Sequence, residues 1–275
     1  MIRNTKNLAF VLLAACSLLF ASCKKDNTLM YGNVTLGNFV GDKFISDQGN
    51  EFTIVENNTG KTFEGIERAL MQCDVLNKTE GVENGYDVRV SYVSSVLTKA
   101  PVSIEDAAAD PEKVVEDPIT IDYAWVSGGY LNVYILFEIQ YSPKLEDSKH
   151  MINLVYNPSE VGTGKYAFTL RHNSYGETLA SKEDSEEESN DENQTQTMSS
   201  DMIQWGIAGG YVSFQISDLI TEKEAELTIN WSEHAKDELN NWLSEVTAKT
   251  ATLNYNKNNF EQAPLTLKAN TKAIR

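Results

Sequence analysis

Three cysteines, three histidines and six prolines among 275 residues leave little material for several kinds of chemistry. His150, His172 and His234 lie far apart and show no metal-ligand spacing of the His-Glu-x-x-His kind. No Gly-x-Ser-x-Gly elbow occurs, and Val126-Ser127-Gly-Gly reads as a hairpin turn. Gly162-Thr-Gly-Lys165 lacks the hydroxyl residue and the following helix of a phosphate loop. Positive charge is also scarce, with 23 basic against 40 acidic side chains and a net charge of −17. Such a field repels polyphosphate backbones, so nucleic acid is an unfavourable partner. Long apolar runs are missing except for Leu8–Phe20, about 13 residues, which is short of the roughly 20 that span a bilayer.

That single run has a setting of its own. Arg3 and Lys6 precede it, Ala21-Ser22 follow it, and Cys23 comes next. A positive start, a short apolar stretch and small residues at a cleavage point form a secretory signal, and a Cys directly after them makes it a lipoprotein signal. Residues 1–22 are therefore expected to be a signal peptide and Cys23 the lipidated residue. Removing Arg3 and Lys6 takes the net charge from −17 to −19, so membrane contact is expected through acyl chains rather than through anionic lipid. The body belongs in the cell envelope, at the outer membrane. Lys24-Lys25-Asp26 carries one acid where surface-export signals usually carry several, which leaves the face of the membrane open. Cys16 leaves with the signal and lipid consumes Cys23. Cys73 then stands alone within Leu70-Met-Gln-Cys-Asp-Val-Leu, a small hydrophobe rather than half of a disulfide.

Residues 23–32 read as a tether. From Asn33 the pattern is β: Val34–Val40, Glu51–Val55 and Tyr86–Val93 alternate with period two between Asn and Gly turns. Tyr86, Val88, Val90 and Tyr92 are expected on one face, and Ile66–Cys73 fits either a short helix or a strand. These strands predict a small OB-like barrel over 33–104. Residues 105–118, charged and holding two prolines, read as an interdomain linker with room for one helical turn. About seven further strands over 119–275 predict a β-sandwich. Tyr130–Ile139 has apolar residues on both faces, broken by Asn132 and Glu138, and is expected at the centre of a sheet. An acidic insert at 182–200 reads as a mobile loop. Leu239, Trp242, Leu243 and Val246 recur at helical spacing, so 232–246 is expected to form one short amphipathic helix lying on the sandwich. The fold class is thus all-β, barrel then sandwich.

The densest polar cluster is Arg171-His-Asn-Ser-Tyr-Gly-Glu. Arg171, His172, Asn173 and Tyr175 are the candidate ligand-binding residues, and the same string also reads as a turn held by its own hydrogen bonds. No nucleophile, metal set or cofactor motif stands out, so catalytic residues, metal and cofactor are each expected to be none. Carboxylate pairs meet only in space, which keeps an envelope hydrolase open as the alternative to a binding protein.

Several strings resemble one family. Gly85-Tyr-Asp-Val-Arg-Val-Ser-Tyr-Val, Val96-Leu-Thr-Lys, Asp117-Pro-Ile-Thr-Ile, Ala124-Trp-Val-Ser-Gly-Gly-Tyr-Leu-Asn-Val, His150-Met-Ile-Asn-Leu-Val and Leu170-Arg-His-Asn-Ser-Tyr-Gly-Glu follow one another in order. Together they resemble the NigD-like lipoproteins of Bacteroides and its relatives. The resemblance implies an N-terminal OB-like barrel, a C-terminal β-sandwich, an envelope lipoprotein and an association with bacteriocin production or protection. It implies no catalytic residues. The acidic insert departs from the family pattern. The functional expectation is a non-enzymatic binding module for a protein, peptide or glycan.

Overall fold

Aromatic and β-branched residues alternating with polar ones build the first third of the chain into strands. The computed structural model describes residues 29–30, 34–141, 149–177, 204–239 and 241–257. β1 (Leu29–Met30), β2 (Thr35–Val40), β3 (Lys43–Ser46), β4 (Glu51–Asn57), β5 (Arg68–Lys78) and β6 (Gly85–Ser95) share one sheet. Following β2-β3-β4-β6-β5 and back to β2 closes a five-stranded ring, and β4–β6 is its one parallel pair. That is OB connectivity. β1 pairs Leu29 with Val75 and Met30 with Asp74 of β5, so the expected tether of 23–32 already enters the sheet at Leu29. Residues 1–22 and Cys23 lie outside the described residues.

The barrel core consists of Phe44, Phe52, Met71, Cys73, Val75, Val88 and Val90. Ile66–Cys73, open between helix and strand in the sequence, becomes strand from Arg68. A bulge lets Cys73 face Val90 while Gln72 faces Tyr92, so the alternation slips by one residue. Val93, not Tyr92, then joins Tyr86, Val88 and Val90 against the core.

The chain leaves the barrel earlier than the expected boundary at 104. β7 (Leu97–Lys99) pairs parallel with β13 (Gln204–Gln215), and β8 (Val102–Ser103) pairs parallel with β11 (Met151–Tyr156). Both are sandwich strands. The stretch 105–118 therefore connects two strands of one unit instead of linking two domains. It holds α1 (Ile104–Ala108), capped by Ser103, and a 3-10 turn at Pro111–Lys113. Ala107 is buried, and Asp117 N–H donates to the His172 carbonyl at 2.9 Å.

β9 (Thr120–Ser127) and β10 (Tyr130–Tyr141) complete a sheet of order β7-β13-β10-β9. β12 (Lys165–Asn173), β14 (Glu224–Lys236) and β15 (Trp242–Asn256) complete the second, of order β15-β14-β12-β11-β8. β10 runs between β13 and β9, as apolarity on both faces predicts. Leu131, Val133, Ile135, Phe137 and Ile139 enter the core between the sheets, with Leu154, Phe168, Phe214, Leu227 and Ile229. Beyond the outer face of the first sheet lies a separate cluster of Val34, Leu36, Leu70, Val96 and Trp125, with Tyr123 and Tyr211 against it. This cluster joins barrel to sandwich.

The expected helix over 232–246 is instead a β-hairpin. Ser232 pairs with Ala248, His234 with Val246 and Lys236 with Trp242. Asp237 sets the turn, because its Oδ1 accepts the N–H groups of Leu239 and Asn241, each at 2.8 Å, and its N–H donates to the Asn241 carbonyl. A helical spacing of four apolar residues does not compete with a closed turn and a 15-residue strand. The acidic insert of 182–200 lies outside the described residues.

Candidate functional site

The barrel and the sandwich meet over a buried charge. Arg68, at the first position of β5, is 2% exposed. An unpaired guanidinium at such depth would be prohibitive, and here each of its nitrogens donates. Nη1 and Nη2 hold the two oxygens of Asp47 at 2.9 and 2.7 Å, the bidentate geometry that suits a carboxylate. Nη1 also reaches Asn38 Oδ1 at 3.1 Å, Nη2 reaches Asn132 Oδ1 at 2.9 Å, and Nε reaches Ser213 Oγ at 2.9 Å. The guanidinium carbon stands 3.9 Å from the ring centre of Tyr130, an added cation–π contact.

The acceptors are held in turn. Ser213 Oγ donates to Asn132 Oδ1 at 2.7 Å. Ser127 Oγ donates to Asp47 Oδ2 at 2.6 Å and accepts from Asn132 Nδ2 at 3.0 Å and Trp125 Nε1 at 3.1 Å. Asp47 and Arg68 come from the barrel, while Ser127, Asn132 and Ser213 come from three strands of the sandwich. The β9–β10 turn is shaped for this meeting. Gly128 has φ +58°, and a Cβ there would stand 2.4 Å from Asp47 Oδ1. Only glycine fits both the turn and the approach.

Beside the network opens a cavity of about 270 Å³. Asn38, Ser46, Asp47, Gly128, Tyr255 and Lys257 are among its lining residues, so barrel, β9–β10 turn and the end of β15 all contribute. A polar lining with one cation suits hydroxyl, amide or carboxylate groups.

The expected binding corner sits elsewhere, where β12 ends. The structure does bring Arg171, His172, Asn173 and Tyr175 together, and their polar groups turn toward 112–118. Arg171 pairs with Glu116 and donates to the Val114 carbonyl at 3.4 Å. Asn173 Nδ2 donates to the Glu112 carbonyl at 3.2 Å, and Tyr175 Oη donates to Glu112 Oε2 at 2.9 Å. Ser174 gives both its N–H and its hydroxyl to Asp117. His172 Nδ1 lies 3.1 Å from the Pro118 carbonyl. A carbonyl only accepts, so Nδ1 carries the proton, neutral Nε2 accepts, and the 2.9 Å contact with His150 Nδ1 is a bond donated by His150. Burial, then the neighbouring His150, pushes His172 down to about 4, and burial pushes His150 down to about 4. Of the four candidates Tyr175 alone is exposed.

Sequence reasoning missed Arg68, Asp47, Ser127 and Ser213. One signal was visible, since Asn132 and Glu138 interrupt an otherwise apolar strand. Both are in fact buried partners, Asn132 of Arg68 and Glu138 of His234, whose Nε2 lies 3.4 Å from Glu138 Oε2. Among the described residues no group of three His, Cys, Asp or Glu side chains is placed to hold a metal ion. No helix among them is long and apolar enough to cross a membrane. Cys73 is buried and its thiol is pushed up to about 12 by that burial, which keeps it protonated.

Comparison with known proteins follows the same division. A family model described as the NigD-like C-terminal beta sandwich domain matches residues 101–186. Among solved structures, a protein from Parabacteroides distasonis described as toxin-related is similar at 21% identity and TM-score 0.50, over 81% of this chain and 91% of that one. A NigD-like immunity protein from Bacteroides caccae is similar at 14% identity and TM-score 0.48, over 82% and 96%. A protein of unknown function from Bacteroides vulgatus is similar at 15% identity and TM-score 0.47, over 81% and 90%. No curated protein matches the chain. The match at 101–186 begins just before β8, where strand pairing places the sandwich, and this stretch is similar to the NigD-like C-terminal beta sandwich domain.

Proposed function

We propose that the chain is a non-enzymatic, lipid-anchored envelope protein that binds a protein, peptide or glycan in the cleft between barrel and sandwich. The observation that carries this reading is the junction itself. The saturated Arg68 network holds the two units as one body, and the cleft of about 270 Å³ is built from both. That volume is just below the usual range for small-ligand pockets. It suits a chain end or one sugar ring of a larger ligand. The buried carboxylates support a non-catalytic role, because each is engaged. Asp47 meets Arg68 and Ser127, Glu138 meets His234, and Glu233 meets Trp231 and Lys236. Anchoring at the outer membrane rests on Cys23 and the signal before it. A tie to bacteriocin production or protection rests on the NigD-like resemblance alone. Tyr175 offers a second contact surface at the 171–175 corner, where its φ of 54° is unusual for a bulky residue.

The soluble form from residue 24 serves as bait for envelope extract, alongside the same form with Lys257→Glu. Wild type is expected to retain a ligand that the variant holds at least ~10-fold more weakly, about 1.4 kcal/mol. Equal retention by both removes the cleft from the reading, and no retention by either removes the binding role. Anchoring is tested separately by labelling with a fatty-acid analogue. Labelling is expected for wild type and lost in Cys23→Ala.

A further inference from the structure

β15 is the outermost strand of its sheet, and no strand among the described residues pairs with its outer edge. Seven of the eight residues 243–250 are exposed, so both faces of the strand stand open there. Leu243 and Val246 are among the exposed large apolar residues, and Leu239 at the hairpin tip is 81% exposed. Proteins blunt long edges with proline, bulges or repeated lysine. Trp242–Asn256 has no proline or glycine, one lysine (Lys249) and one acid (Glu245). The strand is therefore neutral within a chain of net charge −17. Two copies of so acidic a body repel over most of their surfaces, and this edge is a place where they would not.

We infer that β15 pairs antiparallel with β15 of a second copy about a two-fold axis at Thr247. Charge selects this register. With the axis there, Glu245 of each copy stands opposite Lys249 of the other, which makes two matched pairs. An axis at Glu245 or at Lys249 sets like charges against each other, and intermediate axes leave both charges unmatched. Directly opposite residues share a face, so Leu243 meets Ala251, Val246 meets Ala248 and Ser244 meets Thr250. Large side chains thus face small ones. Each backbone edge gains a ladder that no described strand supplies, in the manner of strand addition. An isologous contact of this kind closes at two copies and does not propagate. Its area is modest, so the affinity belongs with transient interfaces. Copies tethered to one membrane meet at far higher effective concentration than in solution.

Sedimentation equilibrium of the form from residue 24, from about 1 to about 500 μM, tests the inference over the range expected of a small interface. A monomer–dimer equilibrium is expected. Lys249→Glu places Glu opposite Glu twice and should raise Kd at least ~10-fold. Glu245→Lys combined with Lys249→Glu restores opposite charges and should return Kd to within about threefold of wild type. Unchanged thermal unfolding of both variants shows that the hairpin is intact. A protein that stays monomeric across the range overturns the inference, as does a dimer indifferent to Lys249→Glu. Protection in the monomer of those amides of 243–251 that point away from β14 would assign the edge to another segment of the same chain, which also overturns it.

Discussion

Two buried polar constellations, the Arg68 junction and the His150–His172 corner, use similar residue types and differ in how charge is compensated. At the junction a full positive charge is buried, and Asp47 with three neutral acceptors satisfies all its donors. At the corner two imidazoles are buried against Phe137, hydrogen-bonded to the Pro118 carbonyl and to each other, with the Glu177 carboxylate 3.6 Å from His150 Nε2. The first pairs a guanidinium with a carboxylate, while burial in the second favours the neutral form of both imidazoles. Burial is the largest influence on both imidazoles, whereas the guanidinium has a carboxylate within hydrogen-bond reach to offset the same cost.

The largest way to break this contrast is Asp47→Ala. It leaves a guanidinium that is 2% exposed without its counter-charge, for which a loss of about 3–5 kcal/mol is expected. Replacing both partners, Arg68→Met with Asp47→Leu, should cost less than Asp47→Ala alone, because no uncompensated charge remains. Urea unfolding of the three proteins measures both effects. A loss below about 1 kcal/mol for Asp47→Ala would mean that water reaches Arg68 and that the junction is loose.

Acid sharpens the comparison next. His150 and His172 are each near 4 in the folded chain, against about 6.5 for an ordinary histidine. Between these values the unfolded chain binds more protons than the folded one. Stability is therefore complete above about pH 6.5 and falls as pH drops toward about 4. His150→Asn keeps a donor toward His172 and removes one titrating ring together with the neighbour that depresses His172. More than half of the pH dependence between 6.5 and 4 should disappear. Denaturation midpoints at three or four pH values check it, and a slope identical to wild type would assign the acid sensitivity to other groups.

What the sequence made legible divides along the same line. Period-two patterns revealed the strands, and apolarity on both faces of Tyr130–Ile139 placed β10 inside its sheet. Those signals are local. The junction was hidden because Asp47, Arg68, Ser127, Asn132 and Ser213 lie on separate segments, and only Asn132 broke a pattern. The corner was visible as a cluster, but its partners Glu112, Glu116 and Asp117 sit more than 50 residues away in a stretch whose composition reads as a linker. The hairpin at 232–246 was misread for a further reason. Residues 239, 242, 243 and 246 satisfy the helical period, while the deciding feature is a turn closed by one side chain, Asp237.

The smallest expected effect concerns Tyr175, the exposed member of the corner. Its φ of 54° is one that glycine adopts freely and a bulky side chain resists, at a cost of about 1–2 kcal/mol. Tyr175→Gly removes that cost. It also removes an exposed bond to Glu112 Oε2, worth at most about 1 kcal/mol, and makes the unfolded chain more flexible by about as much. These contributions offset one another, so unfolding of Tyr175→Gly should match wild type within about 1 kcal/mol. Tyr175→Phe keeps the strain and loses only the hydroxyl bond, and it should be the less stable of the two. If glycine proves destabilising by more than about 2 kcal/mol, the ring itself braces the 112–118 segment and the corner is purely architectural. If stability holds while the glycine variant loses ligand from envelope extract, the strained tyrosine is kept for its exposed face, as backbone strain at binding surfaces often is.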